Sequence, residues 1–382
     1  MTGPHARRYH RPVDVFRYRA PRWIAAGLGV LLACVVATIS PAPAQTATSS
    51  LDVGDQAIVR VFVKGRENEV AIRTWDRQTV QVESSDGDAP AIERKNVVAG
   101  TVGFPLSAAI GPFPWIQHAE GQIVAQGTFP PEDFPYALFR AGNHDTVRVV
   151  AEEGSHLVIT VPANTGILWV QVGGGFTSIN RYHGSNLFVV QGSGRVRLDH
   201  VATTAFTQMG FGTLHVADSA FDRIRVRDNA AQIIFERVRS KQIEASTISG
   251  SIVYDGGTFA PGLARFESQN GDIALGVAGP AQLSGRAGDG HVYTQFDQRV
   301  AVDQHSPGEA NANVGGGGPL VNAISTHGNV FLYDGTLLGR HALAPEWHPI
   351  QRLFTLRRRA QANRRAPAAP RARTYASERH RA

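Results

Sequence analysis

Cysteine is nearly absent. Cys34 is the only one in 382 residues, and it sits inside the apolar run 23–39. If an export signal is cleaved after Ala44, no cysteine is left, which excludes disulfides, thiol catalysis and Cys-based metal sites. The histidines offer no metal site either. His183, His200, His215, His291 and His327 are scattered, with neither helical i,i+4 spacing nor a paired ligand spacing. Gly173-Gly174-Gly175 lacks the Lys-Ser/Thr of a phosphate loop. Ser193-Gly194 and Ser249-Gly250 are turn serines, because no Gly-x-Ser-x-Gly elbow is present. No catalytic residue, cofactor or metal is expected from these patterns.

The net charge of +6 belongs to the ends. Residues 1–23 hold six Arg and one Asp, and residues 352–382 hold ten Arg and one Glu, which leaves −8 for residues 24–351. The high overall pI therefore gives no reason to expect nucleic acid as a partner. The basic start, the run 23–39 and Ala42-Pro43-Ala44 read as a signal peptide over 1–44, with cleavage after Ala44. A retained anchor and lipidation at Cys34 are the alternatives. The expected location is exported: periplasmic, cell-surface or secreted.

What the chain has in quantity is repetition. Small residues recur at Gly175, Gly194, Gly212, Ala231, Gly250, Gly271 and Gly290, in steps of 19, 18, 19, 19, 21 and 19. Gly328 follows 38 residues after Gly290. Apolar pairs keep register after the bend, as in Val196/Leu198, Leu214/Val216, Ile233/Phe235, Ile252/Tyr254 and Ile273/Leu275. They also keep it before the bend, as in Leu168/Val170, Leu187/Val189, Ile224/Val226 and Ile243/Ala245. Alternation on both sides of a small residue means strand, bend, strand with one face buried. At this period the expected fold is all-β, a parallel β-helix over 166–340 with about seven or eight rungs.

Ahead of it, 45–56 is Thr/Ser-rich and reads as a linker. Residues 57–165 read as an N-terminal β segment, with strands around Val59–Val63, Val70–Ile72 and Val80–Val82, then Val147–Val149 and Leu157–Val161. An insertion, 84–145, interrupts it with seven prolines and seven large aromatics, which exclude a long helix and plain disorder. Two readings stay open: a flap packed on the coil, or an exposed loop binding a glycan, peptide or partner through residues such as Trp115 and Tyr136. Near the far end, 297–319 breaks the repeat and includes Gly315–Gly318, so a flexible excursion replacing most of one rung is expected. The basic stretch 341–382 reads as a disordered tail, either solvated or binding anionic lipid or cell-wall polymer at about 1 kcal/mol per basic residue.

The run Val59–Val63, Val70–Asp76 with its Trp75-Asp76 pair, then Val80–Val82, resembles the opening of bacterial proteins of the auto-transporter adhesin head (GIN) group. So does the later order Leu157–Asn164, Ser193-Gly194, Ser249-Gly250, Asn270-Gly271-Asp272 and Asp289-Gly290. The resemblance covers roughly 57–83 and 145–335. It implies a coiled all-β architecture outside the membrane and carries over no catalytic residues.

In a coil, equivalent positions stack at about 4.8 Å, so outward residues form columns. One column reads Arg225, Glu244, Arg265, and another reads Arg227, Ser246, Glu267, Arg286. Alternating charge suits a solvated face, each pair contributing about 0–1 kcal/mol. The functional alternative is an anionic-glycan face with Arg225, Arg227, Arg265 and Arg286 as contacts. A third column holds Asp199, Glu236 and Asp255, of which only Glu236 and Asp255 fall on adjacent turns. Glycoside hydrolysis needs two carboxyl groups about 5–9 Å apart, but two suitable residue types do not define a site. The expected function is a non-enzymatic, exported, adhesin-like or envelope structural protein. A polysaccharide hydrolase or lyase on a β-helix is the alternative, and a membrane-tethered scaffold the third.

Overall fold

The computed structural model describes residues 46–85, 90–96, 116–119, 122–125 and 145–336. The expected signal 1–44 with Cys34, the insertion's Trp115 and Tyr136, and the tail 341–382 lie outside the described residues. Every regular element described is a strand: β1 (Ala47–Asp52), β2 (Ile58–Val63), β3 (Asn68–Trp75), β4 (Thr79–Ser84), β5 (Ala91–Asn96), β6 (Ile116–Ala119), β7 (Gln122–Ala125), β8 (Asp145–Ala151) and β9 (His156–Pro162). Four long bent strands follow: β10 (Ile167–Asn180), β11 (Asn186–Asp199), β12 (Ala202–Ala217) and β13 (Ala220–Glu236). Shorter ones complete the chain: β14 (Arg239–Thr247), β15 (Ile252–Phe259), β16 (Ala264–Ser268), β17 (Ile273–Val277), β18 (Ala281–Ala287), β19 (Val292–Gln295), β20 (Ala301–Ser306), β21 (Glu309–Val314), β22 (Leu320–Ser325) and β23 (Val330–Asp334).

The repeat seen in the sequence is the pairing register. Val170 lies opposite Val189, then Thr207, Val226, Ala245 and Phe266 on successive turns. Past the bend, Ile179 lies opposite Leu198, then Val216, Phe235, Tyr254 and Leu275. These columns point inward and are almost wholly buried. Each aliphatic side chain in them contributes about 1.5–3 kcal/mol by leaving water, as do those of the parallel inward columns through Leu168 and Leu187 and through Val196 and Leu214.

The bend itself demands a missing Cβ. Gly175, Gly194 and Gly212 are stacked in register with φ of 111°, 102° and 127°. A Cβ on Gly212 would lie 1.8 Å from the carbonyl oxygen of Gly194. At the other corner the chain turns through the left-handed region without glycine, at Arg181, His200, Asp218 and Arg237. There the backbone N–H of each donates to the next turn, for example Asp218 N to Glu236 O at 2.9 Å. That inter-turn bond offsets the roughly 1 kcal/mol or more such a conformation costs a residue with a Cβ.

Following hydrogen-bonded neighbours, the first face runs β5–β8–β2–β10–β11–β12–β13–β14–β16–β22–β18–β21–β20. The second face runs β1–β4–β9–β3–β10–β11–β12–β13–β15–β17–β23–β19. The sheet is mixed. Stacked turns pair in parallel, and antiparallel strands close the ends through β5, β4 and β1 on one side and β21 and β20 on the other. Antiparallel closure covers edges that parallel turns would leave open.

Space and sequence disagree at both ends. The turn β2–β3 lies between β8–β9 and β10, although β8–β9 directly precede β10 in the chain. The turn β22–β23 lies between β16–β17 and β18–β19 in the same way. Gly328 therefore stacks on Gly271, and Gly290 on Gly328. The expectation that Gly290 follows Gly271 in space is corrected: periodicity shows that a turn exists, and not which turn it lies against.

Four other expectations change. The supposed linker 45–56 contains β1, whose backbone groups pair with β4 and whose Ala47, Ser49 and Leu51 are half-buried. The segment 57–165 is not separate, since Val59, Ile72, Val149 and Ile159 belong to the same core as Leu198 and Leu332. A count of seven or eight turns therefore left out β2–β3 and β8–β9. The excursion 297–319 is the ordered hairpin β20–β21, whose Ala310 and Ala312 bury against the end of the core.

Substituting Gly212→Ala should cost at least about 3 kcal/mol, since the backbone must move to admit the methyl. A urea midpoint equal to wild type would contradict the close stacking. In hydrogen exchange, amides of β22 and β23 should be far better protected than those of β20, although they come later in the chain. Equal exchange would contradict the interleaved order.

Candidate functional site

Every second residue of the first face points outward, and these residues form one row down the coil. In order the row is Arg148, Arg60, Trp169, Phe188, Phe206, Arg225, Glu244, Arg265, Asn322 and Ser284. Its aromatic centre is buried. Trp169, Phe188 and Phe206 join Ile58, Ile167 and Val190 in a second apolar cluster outside the main core. Ring centroids lie 6.3 Å apart for Trp169 and Phe188, and 6.5 Å for Phe62 and Trp169. The strand β7 of the insertion lies near β10.

Arginines end this aromatic row. At one end Arg60 stacks over Phe62 at 5.1 Å and over Trp169 at 4.9 Å, and Arg148 stacks over Phe62 at 5.2 Å. Burial, and then the like charge of Arg148, lower the pKa of Arg60 below the ordinary arginine value. At the other end Arg225 is buried in an ion pair with Glu244, its Nη2 donating to Oε1 at 3.1 Å.

The expected glycan contacts are only partly assembled. Arg225 and Arg265 do share a row with Glu244 between them, but Arg225 is a buried half of an ion pair. Arg265 is exposed and pairs with Glu267 on its own strand. Arg227 is exposed, beside Gln208 and Ser246 in register. Arg286 is not next to Glu267: Ile324 lies between them, and Arg286 pairs with Glu309 of the hairpin at 3.1 Å. Arg60 and Arg148 escaped the sequence reading because 88 residues and an insertion separate them. Their shared position becomes visible only once β8 is seen beside β2.

The carboxylate column forms a network at the non-glycine corner. Glu236 and Asp255 are neighbours in register and nearly buried, 3% and 7% exposed. Glu236 Oε2 lies 3.2 Å from His215 Nε2, and its other oxygen accepts from Arg237. Arg237 also forks onto Asp218 at 2.6 Å through Nε and Nη2. That bond holds the Asp218 carboxyl below its ordinary pKa, against the opposing effects of burial and the Glu236 charge. Asp199 is taken by Arg197 at 2.8 Å and His200 at 3.2 Å. A glycosidic oxygen needs an accessible acid, and this pair is neither open nor free of fixed partners. Among the described residues, no group of three or more His, Cys, Asp or Glu is placed to hold a metal ion.

A polar column lies inside the glycine bend. Gln191 Nε2 donates to Gly175 O at 3.0 Å, Ser268 Oγ to Gly250 O at 2.9 Å and Ser325 Oγ to Gly271 O at 2.8 Å. Asp228 occupies the same column, and its Oδ1 accepts Met209 N–H at 2.9 Å. Its Oδ2 is buried without a partner among the described residues. Burial raises its pKa well above the ordinary carboxylate value.

No protein-family model matches this chain, and no curated protein does. A solved structure, that of a putative cell adhesion protein from Clostridium sporogenes, overlaps 76% of this chain and 99% of that chain, at 7% identity and a TM-score of 0.23. At that score the overlap carries no argument about fold or function.

Because Asp228 holds its proton more tightly folded than unfolded, it costs no stability below about pH 4, and the cost grows as pH rises towards its folded pKa. Asp228→Asn keeps the Met209 bond and removes the ionisation. It should stabilise by about 1–3 kcal/mol at pH 7, with the gain shrinking as pH falls towards about 4. Paired denaturation curves at the two pH values test this, and a gain that grows on acidification would contradict it.

Proposed function

We propose that the chain is a parallel β-helix closed at both ends by antiparallel strands, and that it serves as a non-enzymatic, exported, adhesin-like or envelope binding protein. The observation that carries the reading is the outward row from Arg148 to Ser284. The accessible members of that row, Arg148 and Arg60 towards one end and Glu244, Arg265, Asn322 and Ser284 towards the other, are held at fixed spacing by continuous backbone ladders, which pre-organise a binding surface and reduce the entropy lost on contact. The enclosed state of Glu236 and Asp255 supports a role without turnover. Export rests on the signal-like start, and the kinship with the GIN group rests on the order of its strand and turn motifs. The basic tail 341–382 is proposed to add attraction to anionic lipid or cell-wall polymer.

Purified protein should be retained on immobilised acidic cell-envelope polysaccharide without shortening it, and deletion of 341–382 should weaken retention by about tenfold or more. Reducing-end assays decide against this reading if they show turnover that Glu236→Gln abolishes. Absence of saturable retention on any envelope fraction would also defeat it.

A further inference from the structure

Arg60 and Arg148 stand directly opposite each other on adjacent parallel strands, at a spacing of about 4.8 Å. Like charges in that position repel, and a sheet face normally interleaves them with carboxylates. Further down the same row this is what happens, where Glu244 separates Arg225 from Arg265. Here the aromatic rings of Phe62 and Trp169 hold the two guanidinium groups in place instead. Both arginines are only partly exposed, and the Nε of each is buried without a hydrogen-bond partner. Neither forms an ion pair among the described residues. Glu93 lies opposite Arg148 on β5 and is exposed.

We propose that Arg60 and Arg148 form a binding site for an oxyanion, a carboxylate or a phosphate, brought by an external ligand. Two adjacent guanidinium groups present several N–H donors to one anion, and the anion removes their mutual repulsion. The aromatic platform fixes the stems, so little side-chain freedom is lost on binding. The proposal rests on the binding-surface reading for its occupant alone, since the paired arginines are a fact of the fold. It moves the anion contact away from Arg225, Arg265 and Arg286, which already have partners.

The test uses the full chain, with thermal shift and calorimetric titration against two probes: hexagalacturonate for the carboxylate source and pyrophosphate for the phosphate source. One or both should raise the wild-type melting temperature, and Arg60→Gln and Arg148→Gln should each weaken that probe's affinity by about tenfold or more. Glu93→Gln should tighten it. Without any probe, Arg148→Glu should raise the melting temperature, because it supplies the missing carboxylate in place, and it should abolish binding. Whichever probe responds identifies the ligand's source. Binding by neither probe overturns the proposal, as does binding unchanged in both Gln variants or a lower melting temperature for Arg148→Glu. Failure here alongside intact retention on polysaccharide would remove the anion site and leave the adhesin-like reading standing, whereas loss of both would remove the two together.

Discussion

The molecule depends on how closely one backbone turn can approach the next at the glycine bend. Where Gly212 meets Gly194, the space a methyl group would need is already filled by a carbonyl oxygen. That contact sets the stacking distance, and the distance brings Val170, Val189 and Val226 on one face, and Leu198, Val216 and Phe235 on the other, into unbroken rows. From Ala231 onwards the bend no longer uses positive φ, and one turn later, after β13, the long bent strands give way to pairs of shorter ones. The spacing persists across that change, because Gly250, Gly271, Gly328 and Gly290 still press on the carbonyls of their neighbours.

A bend this tight strands backbone carbonyls in a dry interior, and the inner polar column answers that. Gln191, Ser268 and Ser325 look like interruptions of an apolar core, yet each satisfies the bend of an adjacent turn. The outward side follows a different logic. Aromatic residues dominate the early turns and opposite charges the later ones, so one row changes from a greasy patch to a salted ladder along its length.

Much of this was legible in the sequence. Alternation around small residues at a near-constant step identifies inward and outward positions residue by residue, and the structure keeps those assignments from Leu168 to Leu275. Three things were not legible, each for a physical reason. The non-glycine corner at Arg181, His200, Asp218 and Arg237 has no residue signature, because inter-turn hydrogen bonds rather than side-chain type permit it. β1 looks like a linker because an edge strand needs backbone pairing more than apolar side chains. The neighbours of β2–β3 and β22–β23 are set by long-range closure, which a local period cannot encode. The candidate site suffered most from that last limit: Arg225 and Arg265 could be aligned from spacing alone, whereas Arg60 and Arg148 required the order of turns in space.

The interleaving at the two ends bears on how the coil answers a pull. An ordinary stack of turns can be unwound from either end like thread from a spool, one ladder at a time. Here β23, the last described strand, is gripped along both edges by β17 and β19, and β2 is gripped by β8 and β10. Tension applied between β1 and β23 would have to break a pair of ladders together before either of the turns beyond them could reel out, after only the short β1 had come away. A stack interleaved in this way yields to tension as one body rather than turn by turn.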